Sequence, residues 1–265
     1  SILHNINFLK KIDELPLMYS PGPMLTILAV YLVFVLKIGP IFMRKREAYK
    51  LTRTMLIYNA TQVLISLYLV ILHLLYLFTR LNSCMSSIPM TCFLVEFTLK
   101  TYKTEFIYYI IIGTYLYWGA KLTELLDTVF FVLRKKNNQV TFLHVYHHSV
   151  MFFSPWVLLK YWPTPTVLFI GFLNSLVHVF MYTYYGLSAL GPTVAKYLTW
   201  KKYMTAFQLV ILTSCFNVMN VIRENLRNKY IFFMFSSCKY FIILQMNYFI
   251  TEKRTTKKYL QQLGS

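Results

Sequence analysis

Five residues in a row carry the densest chemistry in this chain: His144, Val145, Tyr146, His147 and His148. On a helix, positions i, i+3 and i+4 share one face, so the three imidazoles project together. Grouped imidazoles can hold a metal, shuttle protons or attack a carbonyl carbon. A second set lies upstream, where Lys121, Glu124 and Asp127 follow one another at spacings of three within an apolar run. These form one slowly drifting helical stripe. A third lies downstream, with Asn174, His178, Met181, Tyr182 and Tyr185 on one helical face. Thr205 and Gln208 open a later apolar run at spacing three. His178 adds a fourth imidazole from a separate helix. Asn174, Tyr182, Tyr185, Thr205 and Gln208 are as well suited to interhelical hydrogen bonding as to substrate contact.

These groups sit in segments that otherwise read as membrane-spanning. The chain has 265 residues, 57% hydrophobic and only 14% charged, against roughly half apolar and a quarter charged in soluble domains. Such a composition cannot cover itself with polar surface and calls for lipid as solvent. Seven apolar stretches reach spanning length: residues 24–43, 56–78, 106–133, 141–159, 166–187, 203–222 and 230–250. Their length and lack of strand alternation predict an all-α, seven-helix polytopic membrane protein, with the third helix beginning before the membrane. One domain over residues 1–265 is expected, ending in a basic tail at 251–265. Residues 79–105 form the longest far-side loop.

Of nine acidic residues, Asp13, Glu14, Glu47, Glu96, Glu105, Glu224 and Glu252 fall in loops or termini, leaving Glu124 and Asp127 inside a span. A charge at a span centre costs about 2.5–3.5 kcal/mol even on the lenient scale. Lys121, Glu124 and Asp127 must therefore pair or face a polar cavity. His73 lacks polar neighbours in sequence and reads as packed or interfacial, and Tyr58 with Asn59 is a weaker signal.

The net charge of +18 is spread in short runs between spans, not gathered on one face. That excludes nucleic acid as the natural partner and suits a membrane surface and phosphate-bearing small molecules. Arg44, Lys45, Arg46, Lys50 and Arg53, then Arg134, Lys135 and Lys136, then Lys196, Lys201 and Lys202, then Lys253, Arg254, Lys257 and Lys258 share one side. The other side is poorer in Lys and Arg, so the positive-inside rule places the C-terminus in the cytosol. Lys135, Lys136, Lys201 and Lys202 are candidates for phosphate contact as well as topology signals. The four cysteines show no metal or redox spacing, and no metal or cofactor is expected.

The sequence resembles the very-long-chain fatty acid elongases, the membrane 3-ketoacyl-CoA synthases, from about Asp13 to Phe249. The opening residues 16–23, then Gly39, Pro40, Tyr58 and Asn59, resemble that family's first region. Residues 121–136 resemble its first signature, 144–148 its histidine box, 174–185 its third signature, and Thr205 with Gln208 the start of its fourth. The sequence departs in three places. Ile211 stands where a second glutamine is common, residues 222–229 lack a cysteine to pair with Cys92, and Lys257 and Lys258 sit too far from Ser265 for a dilysine retrieval signal.

The resemblance implies six helices around an acyl tunnel, residence in the endoplasmic reticulum, and condensation of acyl-CoA with malonyl-CoA. It implies as partners those two substrates, membrane lipid, and the reductases and dehydratase of the elongation cycle, and it leaves homodimerisation open. His147 or His178 would take the acyl group, with His144 and His148 beside them and Asp127 or Glu124 orienting a ring. Lys121, Asn174, Tyr182, Tyr185 and Gln208 would contact substrate. A di-iron desaturase would need more histidines than the six present, and a transporter would show inverted repeats.

Overall fold

The computed structural model describes residues 10–84, 104–161, 165–198, and positions 200, 203, 207, 208, 210 and 213. The expected seventh span, the tail, most of the sixth span and most of the 79–105 loop lie outside the described residues, as do Thr205, Lys201 and Lys202. Among the described residues every regular element is helical, with no strand. The chain divides into two compact units, Ser1–Lys201 and Lys202–Ser265. In the second, Tyr203, Phe207, Gln208, Val210 and Thr213 are helical, with Gln208 half-buried.

The first unit begins at α1 (Pro21–Val33), which passes through a π-helical stretch (Phe34–Ile38) into α2 (Gly39–Met43). Pro21 and Pro23 suit the first turn, where amide hydrogens lack helical partners. Met24, Tyr31, Val35, Gly39 and Met43 are buried. A spacing of four drifts around a regular α-helix, and the widened π turn offsets that drift and keeps the stripe inward. Then come α3 (Thr52–Cys84), α4 (Thr104–Leu133), α5 (Phe142–Tyr161), α6 (Pro165–Ala189) and the short α7 (Pro192–Ala195). Glu105, expected in a loop, falls in the first turn of α4, because that helix starts earlier than its apolar run.

The helix α4 is the shared seam: it packs against α2, α3, α5 and α6, while α3 lies along α6 and α1 against α5. Tyr31, Trp118, Leu125, Phe152 and Trp156 form the core between α1, α4 and α5, with Trp118 stacked on Phe152 at 5.5 Å between ring centres. Glycines let backbones approach, as in many membrane bundles. His73 of α3 lies between Gly113 of α4 and Gly171 of α6, where a Cβ on Gly113 would meet Leu168 at 2.7 Å. As expected from its polar isolation, His73 is packed, being 1% exposed, and neither ring nitrogen has a hydrogen-bond partner among the described residues.

Helix α3 is polar inside and apolar outside. Asn59, Gln62, Ser66 and His73 are buried, whereas Ile57, Leu64, Ile71, Leu75 and Phe78 are exposed. Water would penalise that arrangement and lipid favours it. Three helical stretches, Pro21–Met43, Thr52–Phe78 and Val167–Ala189, are long and apolar enough to cross a membrane by composition alone. Helices α4 and α5 carry the charged and histidine motifs and are correspondingly less apolar.

Two terminations set up the chemistry. Thr141 caps α5, its hydroxyl accepting the His144 amide at 3.2 Å, which puts His144 in the first turn. At the end of α4, Lys136 N–H bonds Phe131 O at 2.9 Å and Lys135 N–H bonds Val132 O at 3.0 Å, with Lys135 left-handed at φ 53°. This double bond pattern closes the helix and leaves Lys135 and Lys136 exposed. Opposite, the segment before α1 is clasped to the other end of α4 and α5. Asp13 pairs with Lys160, Trp156 Nε1 donates to Leu17 O at 3.1 Å, and Tyr115 donates to Pro16 O at 3.3 Å.

A Cβ on Gly39 would sit 2.7 Å from Val132 Cγ1 and 2.9 Å from Phe34 O, whereas one on Gly119 would meet nothing within 4 Å. Gly39→Ala is expected to destabilise by about 1–3 kcal/mol through this overpacking. Gly119→Ala is expected to be neutral or to stabilise by up to about 1 kcal/mol. Thermal unfolding of both variants in detergent checks the contrast, and equal melting temperatures would contradict the α2–α4 packing.

Candidate active site

Helices α4 and α6 meet at a buried polar cluster. Lys121 Nζ donates to Glu124 Oε1 at 2.7 Å and Oε2 at 2.9 Å, and to Asn174 Oδ1 at 2.5 Å. Lys121 and Glu124 are each 3% exposed. Burying two charges is tolerated only when close pairing and further hydrogen bonds offset their lost hydration. Asn174 supplies one such bond and also accepts the Tyr117 hydroxyl at 3.1 Å. The Lys121 ammonium lies 4.9 Å from the centre of the Tyr117 ring, a cation–π contact that helps to offset desolvation.

The His178 ring completes the cluster. Its Nδ1 is 2.7 Å from the Asn174 carbonyl oxygen, one turn back on the same helix. A carbonyl only accepts, so Nδ1 carries the hydrogen. In the neutral ring Nε2 is then a lone pair. That atom lies 3.5 Å from Lys121 Nζ and 3.3 Å from Glu124 Oε2.

Asp127, one turn along α4, accepts the Tyr182 hydroxyl at 2.6 Å. Tyr182 is 1% exposed and lies 5.6 Å from the His178 ring and 6.1 Å from that of Tyr58. Of the two carboxylates on the stripe, Glu124 is thus the one beside an imidazole, and Asp127 is held by a phenol. The side chain that orients His178 through Nδ1 is neither, since its own helix provides the carbonyl.

The histidine box comes from α5. His144 and His148 lie 4.3 Å apart between ring centres, and His147 lies 5.5 Å from His148. His148 is buried and His147 half-buried. His147 is within electrostatic reach of Lys121, His178, Glu124 and His144, and His148 of Glu124 and Lys121. An imidazole of α6 therefore sits at one carboxylate–ammonium pair on α4, and the α5 imidazoles are electrostatically coupled to the same pair. Among the described residues no three His, Cys, Asp or Glu side chains are grouped to hold a metal ion.

Three of the expected residues of the first unit, Tyr185, Lys135 and Lys136, are exposed. Tyr185 is 40% exposed and stands edge-on to Tyr184 at 5.7 Å. Lys135 and Lys136 are at the exposed end of α4, Gln208 belongs to the second unit, and Lys201 and Lys202 lie outside the described residues. Other residues contribute without having been singled out. Tyr117 braces Asn174, and Gln62 donates to Thr123 Oγ1 at 2.9 Å. Tyr31 and Thr128 reach His144, with 2.8 Å between their hydroxyls and 3.0 Å from Thr128 Oγ1 to Nε2. Helical spacing from Tyr58 and Asn59 was the available signal for Gln62.

Over residues 16–259 the chain matches the GNS1/SUR4 (ELO) family. It is 40% identical over 203 residues to very long chain fatty acid elongase 4 of Homo sapiens, a stretch covering 76% of this chain and 60% of that protein. It is 41% identical over 200 residues to very long chain fatty acid elongase 1 of Mus musculus, covering 76% of this chain and 68% of the relative. For very long chain fatty acid elongase 7 of Drosophila melanogaster the identity is 38% over 199 residues, covering 74% and 57%. The chain thus spans about 60% of the length of elongase 4. With apolar helices of spanning length and a family match over nearly all of its residues, this membrane protein belongs to the GNS1/SUR4 family.

Proposed function

We propose that the protein is the condensing enzyme of fatty acid elongation, a very-long-chain 3-oxoacyl-CoA synthase. It joins a long-chain acyl-CoA to malonyl-CoA with release of CO2 and CoA. The observation that carries this reading is an α6 imidazole at a buried carboxylate–ammonium pair on α4, with the α5 histidine box electrostatically coupled to that pair. The kinship with named elongases supports it.

In the proposed cycle, Nε2 of His147 or His178 attacks the thioester carbonyl. The carbon–sulfur bond breaks, CoA leaves as a thiolate that takes a proton from water, and the acyl group stays on Nε2 of a ring that keeps its Nδ1 hydrogen. His178 suits this part because Nδ1 is engaged and Nε2, 3.5 Å from Lys121 Nζ, carries the lone pair of the neutral ring. Glu124 stabilises a ring that gains positive character as it acylates. Malonyl-CoA then loses CO2, and the enolate carbon attacks the acyl carbonyl and releases the imidazole. The product is a 3-ketoacyl-CoA two carbons longer.

An enolate oxygen needs a donor, for which Asn174, Tyr182 and His148 are candidates. Asn174 is the best placed of the three. Its Oδ1 accepts from Lys121 and Tyr117, which leaves the amide NH2 as the donor end of the side chain. The Tyr182 hydrogen is spent on Asp127. Lys135 and Lys136, with Lys201 and Lys202, suit the CoA phosphates, and Tyr185 and Gln208 remain substrate contacts in this reading.

The wider proposal is a single domain over residues 1–265, with seven helices, six of them around an acyl tunnel. The protein resides in the endoplasmic reticulum membrane with its C-terminus cytosolic. The reductases and dehydratase that complete a two-carbon extension are its natural partners. A dry tunnel would protect an acyl-imidazole from hydrolysis.

Two experiments test this. Purified protein given acyl-CoA without malonyl-CoA is expected to release about one equivalent of CoA per chain and to hold the acyl group. His147→Ala or His178→Ala, whichever removes the nucleophile, should cut that release at least about a hundredfold. A full turnover from both variants would rule out the adduct. Separately, microsomes carrying the protein, given malonyl-CoA and a ladder of acyl-CoAs, should yield chains two carbons longer by mass spectrometry. No extension at any length, with the protein present and folded, would end the synthase reading.

A further inference from the structure

A second hydrogen-bond chain enters the histidine box through Thr128, one turn beyond Glu124 on α4. Tyr31 of α1 lies 2.8 Å from Thr128 of α4, and Thr128 lies 3.0 Å from His144 Nε2 of α5. Thr128 is fully buried and Tyr31 is 6% exposed. Other hydroxyls in these helices spend their hydrogen on their own backbone: Thr61 on Ile57 O, Thr123 on Ala120 O, Thr183 on Val179 O. Thr128 instead bridges two side chains from two other helices.

The three groups carry three hydrogens for two bonds, so one hydrogen lies outside the chain, and it costs least on His144, the least buried of the three. Thr128 has one hydrogen and faces two partners. Were it to donate to Tyr31, the phenol hydrogen would be left in the protein interior without an acceptor among the described residues, at a cost of about 1–3 kcal/mol. Tyr31 therefore donates to Thr128, and Thr128 donates to His144. His144 Nε2 is then an acceptor, and the hydrogen of the neutral ring sits on Nδ1. The ring so fixed rests on His148, which in turn meets His147.

We infer that Tyr31 and Thr128 are positioning residues, which hold His144 as its Nδ1–H tautomer and thereby set the geometry of the histidine box. This rests on the proposed synthase activity for its kinetic consequence, though not for the tautomer itself. It also assigns a task to α1. A helix at the margin of the chemistry supplies the outermost donor, and the π turn that follows Tyr31 keeps that helix's buried stripe inward.

The test uses full-length protein in nanodiscs, labelled with nitrogen-15 histidine, with His144→Gln identifying the His144 signals. In the unsubstituted protein Nε2 should show the unprotonated imidazole shift, and Thr128→Val should remove or mix it. In the condensation assay Thr128→Val should lower kcat about tenfold, the size of one lost orienting hydrogen bond, with KM for both substrates within about twofold. Thr128→Ser, which keeps the hydroxyl, should restore both readouts, and Tyr31→Phe should lower kcat by about threefold or more. A protonated Nε2 in the unsubstituted protein, or unchanged kcat in both Thr128→Val and Tyr31→Phe, would overturn the assignment. If Thr128→Val does not fold, Tyr31→Phe and the nitrogen spectrum decide. If the unsubstituted protein extends no acyl-CoA, the synthase reading has failed, and the tautomer spectrum alone decides this one.

Discussion

The buried Lys121–Glu124 pair is the constraint to which the rest of the first unit answers. Two unit charges removed from water lose several kcal/mol of hydration each, and mutual attraction repays this only with good geometry and further bonds. Both charges come from one helix at spacing three, so neither can escape the other. Their remaining needs must be met from outside α4. Asn174 and His178 of α6 meet them, with Tyr117 bracing Asn174. The docking of α6 on α4 is thus enforced by electrostatics as well as by shape. Lipid cannot substitute, because it offers no hydrogen bonds to a stray charge.

Close docking needs close backbones, and the neighbouring sequence supplies them. Gly113 and Gly171 admit His73 between α4 and α6, and Gly39 lets α2 approach Val132. Because α4 is touched from four sides, its inward positions have little freedom, whereas the outer face of α3 is exposed among the described residues. The clasp of the segment before α1 on Tyr115, Trp156 and Lys160 anchors the end of α4 and α5 remote from Lys135. Between those two ends the histidine box is held in a fixed frame.

How much of this was legible beforehand depended on whether cost or geometry carried the signal. Lys121, Glu124 and Asp127 stood out because charge inside an apolar span is expensive, and the structure pairs the first two. The box spacing and the stripe from Asn174 to Tyr182 were legible because helical period is local. Tyr185 obeys the same period yet lies about 16 Å along the axis from Asn174, and it is exposed. The choice between Glu124 and Asp127 as neighbour of an imidazole was not legible, since one turn of α4 separates them and only the placement of α6 decides. Tyr31 and Thr128 gave no warning at all: their bond joins residues 97 positions apart, and neither residue type is unusual in a membrane helix. The π turn is likewise invisible in the amino acids that form it.

The bond from His178 to its own helix has a mechanical consequence. An imidazole aimed by a neighbouring helix would lose its bearing whenever the two slid past each other. Here the aiming atom is the backbone oxygen of residue 174, four positions back, so a rigid shift of α6 carries Nε2 and its direction along together. A sideways displacement of α6 would leave the orientation of that ring within its own helix unchanged.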